Sequence, residues 1–208
     1  MRTRAKICGV TRVEDALAAA AAGTDAVGLV FYPPSKRVLS PAAAQPIAAA
    51  LPPFVTRVAL FLDPEPALVA QVLRDVRPDV LQFHGSESPE FCAGWGLPFI
   101  KSLGLRGEVD LPAFARRYAA ASGLLLDGHA PGEAGGTGQR FDWSVVPIDL
   151  AKPWILAGGL QPGNVAAAIR QLRPYGVDVS SGVEQSPGLK DPDKIYRFMQ
   201  EVQRVDCQ

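Results

Sequence analysis

Two side chains able to move protons, Cys8 and Asp127, each close a short apolar run, Arg4–Cys8 and Leu124–Asp127. A carboxyl group at a strand end serves as a general acid when partial burial raises its pKa. A thiol, with a free pKa of ~8.5, serves as a base when a nearby cation or helix N-terminus lowers that value. Each also has a plain structural reading, Cys8 as a small buried apolar residue and Asp127 as a loop or cap acceptor. Arg37 follows Pro33-Pro34-Ser35-Lys36; its planar fork suits a carboxylate, although most such charges are simply solvated. His84 follows another apolar run and reads as a positioning group or a satisfied core histidine. Ala157-Gly158-Gly159-Leu160 and Ser180-Ser181-Gly182-Val183 each expose backbone N–H groups without side-chain obstruction, as a phosphate cradle or an ordinary tight turn would. A third glycine-rich stretch, Gly135-Gly136-Thr137-Gly138, lacks the lysine of a Walker loop and reads as a surface loop or a lid.

The elements that must position these residues repeat along the chain. Short apolar runs predict strands at Arg4–Cys8, Ala26–Phe31, Thr56–Leu62, Val80–Phe83, Phe99–Leu103, Leu124–Asp127, Trp154–Ala157 and Gly176–Val179. Helical stripes lie between them. Val13, Ala16, Leu17 and Ala20 fall at helical spacing, as do Val165, Ala168, Ile169 and Leu172, and Ile195, Phe198, Met199 and Val202. Ser40-Pro41, Asp63-Pro64, Ser88-Pro89 and Asp191-Pro192 read as helix starts, an N-cap followed by proline at the first helical position. Pro46 lies inside the second helical pattern and is expected to kink or shorten it. Eight alternating units predict an α/β protein, one domain over residues 1–208, closed as a (β/α)8 TIM barrel. An open doubly wound sheet is the runner-up, but Cys8-Gly9-Val10-Thr11 is not a dinucleotide fingerprint.

In a barrel the strand ends share one face. That gathers Cys8, Arg37, Asp63, His84, Asp127, Gly158-Gly159 and Ser180–Gly182 in one place, with the two glycine and serine loops where barrels bind phosphate. Lys6 has the strand parity of Cys8, and Asp178 lies on the eighth strand, which adjoins the first. Both are expected to point inward as an ion pair beneath the site.

Composition narrows the partners. Of 208 residues, 21 are Lys or Arg and 21 Asp or Glu, so no net basic field favours nucleic acid or an anionic membrane. No run of ~18 or more uncharged apolar residues suggests a membrane span. The basic start is not followed by the apolar run of a signal peptide, because Glu14 and Asp15 interrupt it. Three widely spaced cysteines, Cys8, Cys92 and Cys207, favour neither a disulfide framework nor zinc, and point to a reducing cytoplasm. Cys92 and Cys207 lie on helical segments and read as structural, while His129 carries no readable signal.

Nearly the whole chain resembles the phosphoribosylanthranilate isomerases. The likeness runs through Lys6-Ile7-Cys8-Gly9, Gly28–Phe31, Ser35-Lys36-Arg37, Leu81–Gly85, Leu126-Asp127, Gly135–Gly138 with Phe141-Asp142-Trp143, Leu156–Leu160, Asp178–Glu184 and Gly188–Asp191. Singly these motifs are weak; in this order and spacing they are specific. Phe83, where the family usually has leucine, and Pro46 are small departures. The resemblance implies an Amadori rearrangement of N-(5-phosphoribosyl)anthranilate in tryptophan biosynthesis. It implies Asp127 as the acid that opens the ribose ring and Cys8 as the base at C2. It further implies Arg37 on the anthranilate carboxylate, His84 beside the substrate, and Gly158, Gly159, Ser180, Ser181 and Gly182 around the phosphate. No cofactor or metal is expected, the partner is a small phosphosugar, and the chain is expected as a monomer or homodimer. Indole-3-glycerol-phosphate synthase is a rival, but it calls for a site lysine, and Lys6 and Lys101 lack its context. A non-catalytic phosphosugar-binding barrel would need the phosphate loops but not Cys8 and Asp127.

Overall fold

The computed structural model describes residues 2–105, 107, 109–128, 150 and 152–206. Eight parallel strands close on themselves in chain order. They are β1 (Arg4–Cys8), β2 (Ala26–Val30), β3 (Thr56–Phe61), β4 (Val80–Phe83), β5 (Phe99–Gly104), β6 (Gly123–Asp127), β7 (Trp154–Leu156) and β8 (Gly176–Val179). Closure joins β8 to β1, with Lys6 in register with Asp178. The expected strands are therefore all present, with ends shifted by a residue at most. Helices α1 (Val13–Ala21), α2 (Pro41–Ala50), α3 (Pro66–Asp75), α4 (Pro89–Ala93), α5 (Leu111–Arg117), α6 (Val165–Leu172) and α7 (Pro192–Asp206) alternate with the strands. Among the described residues no helix is long and apolar enough to cross a membrane.

The apolar stripes of α6 and α7 are buried, including Val165, Ala168, Ile169, Leu172, Ile195, Phe198, Met199 and Val202. The α1 stripe needs correcting. Leu17 is exposed, and the buried face carries Asp15, Ala16 and Ala19 instead. Asp15 is buried because Arg12 and the Lys190 backbone N–H both donate to its carboxylate. Ser40 and Ser88 cap α2 and α4 as expected, accepting from Ala43 and Phe91 backbone N–H groups. The Asp63-Pro64 start is also corrected: α3 begins at Pro66 after Glu65. Asp63 instead accepts from the Ser86 N–H at 2.6 Å. Pro46 does not end its helix; α2 runs through it to Ala50. Phe83 stacks on Phe61 at 6.0 Å and meets Phe91 and Phe99 edge-on, so the larger side chain is absorbed by an aromatic cluster.

Candidate active site

The alternation of β1 sends Lys6 and Cys8 to the inner side, one layer apart. Cys8 reaches the strand's C-terminal end, and Asp127 does the same on β6. Both line one cavity of about 670 Å³, together with Arg37, His84, Gly158, Gly159, Ser180 and Ser181. That volume lies within the ~300–1,000 Å³ of small-molecule sites. Eight of the nine expected site residues thus share one cavity. The ninth, Gly182, stands behind it as a spacer. A Cβ on Gly182 would strike the Leu160 carbonyl oxygen, and would lie 2.9 Å from its carbon and 3.1 Å from Gln161 Cα. Only glycine lets the loop after β8 pack on the loop after β7.

Both loops are tight turns held by specific contacts. Gly158 and Gly159 take φ of 85° and 66°, a region that favours glycine. Asn164, passed over in the sequence, braces them: its Nδ2 donates to Gly159 O at 2.9 Å and its Oδ1 accepts from Gln161 N at 2.8 Å. A Cβ on Gly158 would fall 2.8 Å from Asp127 Oδ1, so the β7 loop lies directly against that carboxyl group. After β8, Ser181–Val183 form a short 3-10 turn. Lys190 Nζ, buried beneath it, donates to Ser180 O at 3.1 Å.

Arg37 is held rather than loose. Its Nε and Nη2 donate to the two carboxylate oxygens of Glu184 at 2.7 and 2.8 Å, and Lys190 donates to Glu184 Oε1 at 2.9 Å. Glu184 takes one edge of the guanidinium fork; the other edge, Nη1 and the second Nη2 hydrogen, is not used by it. Burial alone would raise the Glu184 pKa, but hydrogen bonds from Arg37 and Lys190 overcome this and hold it below the ordinary glutamate value. Gly9, with φ of 72°, leaves room for the Arg37 stem, since a Cβ there would collide with Arg37 Cδ. The Glu184–Lys190 brace could have been suspected only from the charges at a loop where a neutral turn would serve.

His84 is buried at the end of β4, with Gln82 Nε2 at 3.4 Å from its Nδ1. Lys6 and Asp178 form the expected inward ion pair, 2.9 Å apart and nearly fully buried. Burial pushes the Cys8 thiol above its ordinary value, against the pull of the Lys6 ammonium. Asp63, grouped with the site by its strand end, is absent from the cavity wall because its carboxylate turns to Ser86. Cys92 is buried on α4, away from the cavity. His129, Gly135–Gly138, Phe141-Asp142-Trp143 and Cys207 lie outside the described residues. Among the described residues no cluster of His, Cys, Asp or Glu is arranged to hold a metal ion.

Comparisons with known proteins place the chain in a family. The chain is 56% identical over 201 residues to N-(5'-phosphoribosyl)anthranilate isomerase of Pseudomonas fluorescens, covering 97% of this chain and 96% of that one. The crystal structure of the Thermotoga maritima phosphoribosylanthranilate isomerase superposes with a TM-score of 0.88 at 43% identity, over 97% of this chain and 99% of that one. A crystal structure of such an isomerase in complex with reduced 1-(o-carboxyphenylamino)-1-deoxyribulose 5-phosphate gives 0.85 at 40% identity, over the same shares. The model of the N-(5'-phosphoribosyl)anthranilate isomerase family matches residues 5–201, and this chain belongs to that family.

Proposed function

We propose that Asp127 and Cys8 are the general acid and general base of an Amadori rearrangement. As an isomerase of tryptophan biosynthesis, the chain converts N-(5-phosphoribosyl)anthranilate to 1-(2-carboxyphenylamino)-1-deoxyribulose 5-phosphate. Asp127 donates its proton to the ribose ring oxygen, the C1–O bond breaks, and the anilino nitrogen becomes a Schiff base. The Cys8 thiolate removes the C2 proton, and the electron pair moves to give an enolamine, which tautomerises to the C2 ketone. Each proton transfer contributes ~10²–10⁴-fold in rate. The observation that carries this reading is the shared cavity: the thiol of β1 and the carboxyl of β6 face it, with two glycine and serine loops on its wall. Gly158, Gly159, Ser180 and Ser181 hold the phosphate, with Gly182 as their spacer. The open edge of Arg37 takes the anthranilate carboxylate, and His84 positions the substrate.

The chemistry is proton transfer alone, so the reading calls for no cofactor or metal. Each barrel carries the whole set of site residues, so a monomer or a homodimer can work, in a cytoplasm that keeps Cys8 reduced. The test follows the loss of anthranilate-type fluorescence on phosphoribosylanthranilate made in situ. Turnover by the folded wild-type chain supports the reading, and none refutes it. Asp127→Asn that binds the phosphosugar while wild type fails to turn it over marks a non-catalytic binding barrel.

A further inference from the structure

A buried ion pair lies under the site and has no part in the proton transfers just described. Lys6 Nζ stands 2.9 Å from Asp178 Oδ1, with side chains 6% and 9% exposed. An ion pair so buried is a poor source of stability, because desolvation offsets most of its attraction. Its position suggests another use. A Cβ built on Gly28, the β2 residue in register with Cys8, would lie 2.9 Å from Cys8 Sγ and 3.0 Å from Lys6 Nζ. Thiol and ammonium therefore crowd the same point on the β2 backbone, in a gap that any other residue there would close.

We propose that Lys6 is a positioning residue acting through Cys8, its ammonium serving as the fixed counter-charge of the Cys8 thiolate and Asp178 holding it in place. This rests on Cys8 being the base. A buried thiolate needs a cation that does not itself discharge. Burial works to discharge Lys6, but Asp178 and Cys8 hold its pKa above the ordinary lysine value. The other charges around the thiol do not replace it. Lys190 and Arg37 are both engaged with Glu184, and Asp178 and Asp127 are carboxyl groups that bring no positive charge. On β2 the facing residue is Gly28, which carries no charge.

The experiment reads the thiol directly. Alkylation of Cys8 by iodoacetamide, followed on its peptide by mass spectrometry, is measured against pH for wild type, Lys6→Met and the double variant Lys6→Met/Asp178→Asn. The double variant removes both charges, so it avoids leaving an unpaired buried carboxylate. The expected result is an upward shift of at least about one pH unit in the alkylation midpoint of both, hence at least ~10-fold less thiolate at pH 7. Turnover falls in proportion at pH 7, with KM little changed, and recovers toward wild type as pH rises. A merely structural lysine would lower activity at every pH. An unchanged alkylation midpoint in the folded double variant overturns the proposal. Wild-type turnover by Cys8→Ser, by contrast, would overturn the assignment of the base while leaving the measured midpoint meaningful.

Discussion

Replacing Gly182 by alanine adds one methyl group, and the structure says what it meets. The atoms in the way are all backbone: the Leu160 carbonyl oxygen and carbon and the Gln161 Cα. No side chain can rotate aside, so the loop after β8 must move off the loop after β7 by about 1 Å. Overpacking of this kind costs ~1–3 kcal/mol. For a domain of this size about 2 kcal/mol lowers Tm by roughly 4–8 °C. A displacement of ~1 Å in a positioning loop costs on the order of 10²-fold in kcat/KM. Gly163→Ala is the control, since nothing lies within 4 Å of a Cβ there. Differential scanning calorimetry and the fluorescence assay give both quantities for each variant. Wild-type kcat/KM and Tm in Gly182→Ala would refute the claim that these loops must touch to hold the phosphate.

Two further outcomes follow from local physics. The folded pKa of Glu184 lies below its ordinary value, so its stabilisation is complete above the unfolded carboxyl value, ~4.3, and is lost as pH falls through the folded one. The Tm gap between wild type and Glu184→Gln should accordingly shrink on going from pH 7 to acid; a constant gap contradicts the Arg37–Glu184–Lys190 cluster. Arg173 ends α6 with φ of 48°, its N–H donating to Ile169 O. Arg173→Gly should keep that bond, relieve the backbone and raise stability by up to about 1 kcal/mol, read by urea unfolding; a loss of stability would contradict it.

What could be read in the sequence was what repeats or sits at a boundary. Strands are short, apolar and cut off by glycine, proline or a polar residue, so Cys8, Asp127 and the two glycine and serine loops fall at strand ends, and barrel geometry turns ends into one face. The parity of β1 likewise gave the Lys6–Asp178 pair. What failed had no contrast or no local signal. In α1 alanine occupies most positions from Ala16 to Ala22, so leucine seemed to mark a face that Asp15 in fact occupies. Asp63-Pro64 mimics a helix start because Pro66, two residues on, is the real one. Arg37 and Glu184 are 147 residues apart, and no local pattern links them.

The central claim is that one thiol and one carboxyl do the chemistry. The direct measurement is kcat/KM on phosphoribosylanthranilate for wild type, Cys8→Ser and Asp127→Asn, each shown by circular dichroism to be folded. Losses of at least ~10²-fold in each variant are predicted. Either variant turning over at the wild-type rate would contradict the account.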